Sequence, residues 1–246
     1  MKLNDSEFDY LTHYKIDAEE FDYFEERIGP AKHEEQRVHE TIILKVPRNA
    51  KYILDVGCGS GWIAQKFLSP DRKVFSLDVS KTNPLRIHNS LNDNINHFPI
   101  VADAFQLPFR DNTLDCVIAS EIIEHTYNPK EFIRELFRVV AKGGRLIIST
   151  PYKEKLRYHL CIHCNRKTPE NAHLHSFDEE VLKELYNKDD LKKFKYIVFG
   201  NKALIFLRTH IILKYFPYSI WYAIDWLANK IYEKPLHIVC VYEKSN

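Results

Sequence analysis

Residues 52–61, Tyr52-Ile53-Leu54-Asp55-Val56-Gly57-Cys58-Gly59-Ser60-Gly61, decide how this chain is read. An apolar strand carrying one acid, Asp55, runs directly into Gly57, Gly59 and Gly61. Glycine at every second position lets the backbone turn tightly and approach a ligand where a Cβ would collide. A helical pattern follows at once, with Trp62, Ile63, Lys66 and Phe67 at helical spacing. Strand, glycine turn and helix form a nucleotide-type pocket at the carboxyl end of a sheet strand. The spacing is G-x-G-x-G, not the G-x-G-x-x-G of dinucleotide enzymes, and the Gly-Lys-Ser/Thr that cradles triphosphates is missing. A carboxylate just ahead of the glycines repels a pyrophosphate and suits a cation.

Working outward, strands are expected at Lys73 to Leu77, Phe98 to Ala102, Leu114 to Ala119 and Arg145 to Ser149, with a helix from Pro129 to Val140. Strands alternating with helical segments imply crossovers and a parallel sheet covered on both faces. Phe194 to Phe199 and His237 to Tyr242 read as two further strands, and His33 to Leu44 as a helix in a polar, aromatic N-terminal segment. The 246 residues, 45% hydrophobic and 28% charged, suffice for one large α/β domain. A net charge of +1 supplies no global field for nucleic acid or an anionic membrane. No basic segment followed by an apolar run opens the chain, and five cysteines, with Cys58, Cys116 and Cys240 on or beside strands, suggest buried thiols in a reducing compartment. A cytoplasmic location is the expectation.

The run Ile53 to Trp62 resembles the first motif of the class I S-adenosylmethionine (AdoMet) methyltransferases. The resemblance extends motif by motif over residues 52–150, including Leu107-Pro108-Phe109-Arg110-Asp111 before the fourth strand. It implies a Rossmann-like seven-stranded α/β sheet with an antiparallel last strand and helices on both faces. Residues 1–50 would cap the active site, 51–150 bind AdoMet, and 155–176 and 202–231 form a Cys/His loop and an apolar helical insertion in a single domain. Asp55, Gly57, Gly59 and Gly61 would hold AdoMet together with Asp78, Asp103, Ala104 and Ser120. Asp78, at the end of the second strand, is placed to accept ribose hydroxyls, although a helix N-cap would also use a carboxylate there. By resemblance Asp103 would receive the adenine amino group, with Leu77 and Phe105 on either side of the ring.

Methyl transfer from a sulfonium is an in-line displacement, so the protein aligns the partners, excludes water and removes a proton where required. Candidates for that last task are Glu121, Glu124 and His125, whose i, i+3, i+4 spacing puts them on one face of a helical turn. They could act as a hydrogen-bonded base, bind a divalent cation, or simply form an acidic first turn. Similar Glu-x-x-Glu-His runs occur in ubiquinone-pathway O-methyltransferases. They also occur in small-RNA 2′-O-methyltransferases, where a later histidine completes a metal site. Cys161-Ile162-His163-Cys164, followed by His173 and His175, offers a rival metal set: two thiolates and two imidazoles satisfy tetrahedral zinc. If Cys161 and Cys164 bind none, His173 or His175 is free to join Glu121, Glu124 and His125.

The stretch from Lys202 to Ile231 holds many apolar and aromatic residues, but Arg208, Lys214 and Asp225 interrupt any membrane-spanning run. Two amphipathic helices broken at Pro217 are expected, serving as a lid, a peripheral membrane contact, a homodimer contact or packing on the sheet. The leading functional expectation is an AdoMet-dependent methyltransferase acting at oxygen on a small or lipid-like acceptor. A metal-dependent RNA 2′-O-methyltransferase comes second, disfavoured by the lack of a basic stripe. A non-catalytic AdoMet-binding scaffold is third.

Overall fold

Alternate residues of the central strands are buried on opposite sides of one sheet, and this is what divides the core in two. The computed structural model describes residues 8–186 and 188–246. Nine strands are present among them: β1 (Tyr52–Val56), β2 (Lys73–Asp78), β3 (His97–Val101), β4 (Leu114–Ser120), β5 (Val140–Pro151), β6 (Tyr158–Leu160), β7 (Lys167–Pro169), β8 (Leu191–Phe199) and β9 (His237–Lys244). Seven of them form a sheet in the order β3-β2-β1-β4-β5-β9-β8, with β9 antiparallel to both neighbours. β1 pairs in parallel with β2 and β4, so the order reverses across β1 and β4, where α/β sheets open a crevice at their carboxyl ends.

The helices are α1 (Tyr10–Glu20), α2 (Gly29–Ile43), α3 (Trp62–Phe67), α4 (Thr82–Ser90), α5 (Pro129–Val139), α6 (Glu179–Leu185), α7 (Lys202–Phe206), α8 (His210–Leu213) and α9 (Tyr218–Ile231). On one face Leu54, Val117, Leu146 and Tyr242 pack with Phe132, Ile133, Leu136 and Phe137 of α5 and Leu182 of α6. On the other Ile53, Ile118, Ile147 and Val239 meet Val38 and Ile42 of α2, Ile63 of α3, Ile87 of α4, and Leu213 and Trp221 of the insertion. α5 shows how locally the sequence encodes such an element. Asn128 caps it by accepting the Glu131 backbone N–H, Pro129 opens the first turn, and the apolar residues recur on one side.

The seven-stranded architecture agrees with the sequence reading, with three differences. β5 starts at Val140, because the chain leaves α5 directly into an extended segment that pairs with Leu114. α1 is an additional helix, one whose apolar periodicity is weak. The insertion contains three helices instead of two: Thr209 separates α7 from α8 and Pro217 caps α9, and the chain turns at Arg208 with φ +54°.

Candidate active site

The glycine turn after β1 is built as its sequence demands. Gly57 and Gly61 have φ of +65° and +76°, and a Cβ on them would lie 2.4 Å from Ile122 and 2.5 Å from Ile87. No larger residue fits either position without movement. The backbone N–H groups of Gly57 and Cys58 both donate to the Leu77 carbonyl, tying the turn to β2. Asp55 is 3% exposed and its Oδ2 has no hydrogen-bond partner among the described residues. Burial, reinforced by the neighbouring Asp78, pushes the Asp55 carboxyl up to about 8. A buried carboxylate left unpaired is costly, and this one stands at the head of an open glycine turn. Asp78 accepts the Ser80 backbone N–H at 3.0 Å, and α4 begins later without a side-chain cap, so Asp78 is not that helix's N-cap. Burial raises its pKa as well. Carboxylates, glycines and strand ends together fit a cationic nucleoside such as AdoMet.

The N-terminal segment lies over this crevice. The Tyr10 hydroxyl donates to Asp103 Oδ2 at 2.5 Å, while Asp103 Oδ1 accepts the Phe105 N–H. Tyr10, Phe105 and Tyr127 form an aromatic group with ring centroids 4.4–5.5 Å apart. Asp103 and Phe105 therefore already face an aromatic wall, with Ala104 half-buried against the core, where the sequence suggested Leu77 opposite Phe105. Leu77 is instead buried in the core. Tyr23 approaches Gly59, whose Cβ would lie 3.8 Å from its ring, and the Tyr14 hydroxyl donates to the His125 carbonyl. Ser120 shares a 3.0 Å hydrogen bond with Ser149 on β5. The N-terminal tyrosines were missed as individual site residues. Their only sequence signal is aromatic richness in an otherwise polar segment.

Glu121, Glu124 and His125 do not share one face of a helical turn. Glu121 adopts φ +56°, and only Ile123–His125 forms a 3₁₀ turn, so Glu121 points elsewhere. A left-handed non-glycine residue at this place is strained, a condition that clusters at functional sites. Glu124 is 1% exposed and receives the Thr150 hydroxyl at 3.0 Å; burial and the Glu121 charge hold its pKa well above normal. His125 is pulled down to about 4 by burial and by His173.

The rival zinc set is not assembled. Cys161 and Cys164 sit on the turn of the β6–β7 hairpin, with Cys164 exposed, and no three of Cys161, Cys164, His173 and His175 bring ligand atoms within 4.8 Å of one another. His173 Nδ1 lies 2.6 Å from Glu154 with its ring centroid 4.8 Å from that of His125, and His175 Nε2 lies 2.8 Å from the Thr126 carbonyl, so both rings stand beside the segment after β4. The hydrogen bond from the Leu174 N–H to the Glu124 carbonyl holds that loop there. The group that does converge is Glu124, His125 and His173, with possible ligand atoms all within 4.8 Å.

His237, which stands at the start of β9 and belongs to no sequence motif, lies between two carboxylates. Its Nδ1 is 3.9 Å from Glu121 and its Nε2 3.9 Å from Glu34 of α2. Burial lowers its pKa, but those two acids outweigh burial and leave it raised.

Residues 54–148 match a family model described as a methyltransferase domain. A mitochondrial ubiquinone biosynthesis O-methyltransferase from Dictyostelium discoideum is 33% identical over 47% of this chain, which spans 40% of that protein's length. The chloroplastic tocopherol O-methyltransferase of Arabidopsis thaliana is 36% identical over 42% of this chain and 31% of its own. A ubiquinone biosynthesis O-methyltransferase from Rickettsia conorii is 26% identical over 80% of this chain and 79% of its own. Among solved structures, a SAM-dependent methyltransferase from Archaeoglobus fulgidus superposes with a TM-score of 0.60 at 14% identity, covering 86% of this chain and 94% of that one, a likeness of fold alone. Residues 54–148 thus match a methyltransferase domain, and the seven-stranded sheet around them shares the fold of the superposed methyltransferase.

Proposed function

We propose that the protein binds AdoMet in the crevice above β1, β2 and β4 and transfers its methyl group to an oxygen of a small, lipid-like acceptor. The observation that carries the cofactor half is Asp55: a buried carboxylate with a free oxygen, beside turns where only glycine fits, is stabilised by a cationic ligand. Asp78 would take the ribose and Asp103 the adenine, with Tyr10 giving up its hydrogen bond to Asp103 when the base arrives. AdoMet supplies an electrophilic methyl; the chain binds it, covers it with the N-terminal tyrosines and holds the acceptor in line.

The lipid-like half rests on α9. Ile220, Ile224, Leu227 and Ile231 recur at helical spacing and face solvent, Ile231 at 80% exposure, while the inner face carries the acid Asp225, 1% exposed. The helix thus carries a second apolar stripe facing outward, beyond the face that buries Trp221 and Asp225, where an ordinary surface helix is polar. Phe206, Leu207, Ile212 and Tyr215 extend the exposed apolar surface over α7 and α8. Lys202, Arg208, Lys214 and Lys230 lie on the same insertion, and Lys234 follows it beside the exposed acid Glu233. Apolar side chains with basic neighbours suit the interface of an anionic bilayer. No helix among the described residues is long and apolar enough to cross one. The test is calorimetry with AdoMet, together with flotation on vesicles of phosphatidylcholine with and without phosphatidylglycerol. Tight cofactor binding and flotation only with the anionic lipid are expected. Absence of AdoMet binding rejects the transferase. A dimer in solution that ignores vesicles reassigns the α9 surface to a second copy of the chain.

Glu124, His125 and His173 favour a second reading, a divalent-metal-dependent transfer of the kind the small-RNA 2′-O-methyltransferases perform. A buried carboxyl and two imidazoles are a donor set for a first-row metal. Mn²⁺ or Co²⁺ should then raise the melting temperature, and His173→Ala should abolish the shift. Melting that is indifferent to both metals removes this reading.

A further inference from the structure

The turn of the β6–β7 hairpin carries two cysteines, and its backbone is built around them. Cys161 donates its N–H to the Arg166 carbonyl at 2.9 Å, and its own carbonyl accepts the Asn165 N–H at 2.9 Å. Asn165, at φ +54°, takes the left-handed conformation that ends such a turn. One helical turn sets residues three apart side by side, and these are Cys161 and Cys164. Both are free thiols, Cys161 half-buried and Cys164 exposed. Tyr158, Leu160 and Ile162 are exposed as well, so the hairpin stands clear of the core.

The chain's other three cysteines, Cys58, Cys116 and Cys240, are 2% exposed or less, and burial pushes each of those thiols up. Cys161 goes the other way. The backbone N–H groups of Cys164 and His163, then the Cys164 thiol, donate to its sulfur and hold it below the ordinary cysteine value. A stabilised, reachable thiolate beside a second thiol is the arrangement of a disulfide-exchange centre. Tetrahedral zinc needs four ligands, and among the described residues no third Cys, His, Asp or Glu joins this pair. The surrounding charge selects the co-reactant. Residues 155–169 include Lys155, Arg157, Arg166 and Lys167 and no carboxylate side chain, so the turn attracts an anion.

We propose that Cys161 and Cys164 are a redox-active dithiol that exchanges with small anionic disulfides of the oxidised-glutathione class. The Cys161 thiolate attacks one sulfur of the small disulfide. That S–S bond breaks, one thiolate leaves, and a mixed disulfide remains on Cys161. Cys164 then attacks the Cys161 sulfur, the mixed bond breaks and the second small thiolate leaves. Two protein thiols are thereby oxidised to one disulfide, the small disulfide is reduced to two thiols, and two protons pass from the former to the latter. A tight turn holds its first and fourth Cα atoms within about 7 Å, close enough for a disulfide. This chemistry is independent of methyl transfer.

The experiment exposes the reduced full chain to graded mixtures of reduced and oxidised glutathione, quenches with acid and maps the cysteines by mass spectrometry. A disulfide between Cys161 and Cys164 is expected, with Cys58, Cys116 and Cys240 still reduced. Cys164→Ser, which lacks the resolving thiol, should accumulate the glutathione adduct on Cys161. Cys161→Ser should carry about tenfold less adduct on Cys164, and iodoacetamide should label Cys161 about tenfold faster than Cys164 in the native chain. Melting temperatures check that both variants fold. Raising the salt from about 0.01 to about 1 M should slow exchange with oxidised glutathione and spare exchange with neutral bis(2-hydroxyethyl) disulfide, because added ions screen the cationic turn. Absence of the disulfide at every glutathione ratio, or equal adduct on the two variants, overturns the proposal. Salt-insensitive exchange overturns the choice of an anionic co-reactant. Zinc that co-purifies and shields both thiols until chelated would also overturn it and make the pair a metal site.

Discussion

The carboxylate of Asp225 accepts the backbone N–H of Asn201 at 2.7 Å, so the helix with the outward apolar stripe is fastened to the end of β8 by a buried charge. The same carboxylate accepts the Gly200 N–H and the Asn229 side-chain amide, both at 3.1 Å. Asp225→Ala leaves these donors without a charged acceptor. The chain should lose about 3 kcal/mol in urea denaturation, in the range for hydrogen bonds to charged groups plus unsatisfied donors. A loss below about 1 kcal/mol would show that α9 is held by its ring contacts instead.

Asp55 makes cofactor binding depend on protons. Its folded pKa is raised from the ordinary aspartate value near 3.8 to about 8, by burial first and Asp78 second. The free folded protein therefore holds a proton that the unfolded chain releases. Stability from this group is present below pH 3.8 and is lost as pH rises toward 8. A cationic ligand reverses the preference, so AdoMet binding at pH 7 should release up to one proton per chain. The heat of binding should then differ between phosphate and Tris in proportion to buffer ionisation. Asp55→Asn should abolish that difference; its persistence in the variant would point to Asp78.

Asp78→Ala should weaken AdoMet binding by about 1.5–3 kcal/mol, or roughly 10- to 150-fold, the scale of hydrogen bonds to a charged acceptor. Calorimetric titration measures it directly. An unchanged affinity would leave Asp78 as a brace for the turn at Ser80.

The two insertion tryptophans should part company. Trp221 is 3% exposed and packs against Phe199 and Arg37, so Trp221→Ala should cost about 3–5 kcal/mol of stability. Trp226 is 52% exposed, and Trp226→Ala should change stability by less than about 0.5 kcal/mol while reducing partition to anionic vesicles. Equal destabilisation by both would make the insertion ordinary core.

The sequence by itself determined the sheet and the cofactor turn. Asp55 and the glycines are adjacent in the chain, and their conformations follow from local sterics: an apolar strand, left-handed turns that only glycine fits, and an immediate helix. The periodicity of α5 and the near-continuous apolar runs of β4 and β5, buried on both faces, are local in the same sense. What tertiary structure decided lies wherever distant segments meet. Glu121, Glu124 and His125 read as one face because spacing assumes a helix, yet β4 ends against Ser149 and Glu121 turns left-handed, sending it to His237. His173 left its neighbouring cysteines for His125 because the loop is bonded to Glu124. His237, Glu34 and Tyr10 carry no motif; they reach the site from a strand start and two N-terminal helices far away in sequence. Short-range sterics write themselves into a few consecutive residues, whereas the meeting of His237 with Glu34 and Glu121 depends on packing between segments that no local pattern records.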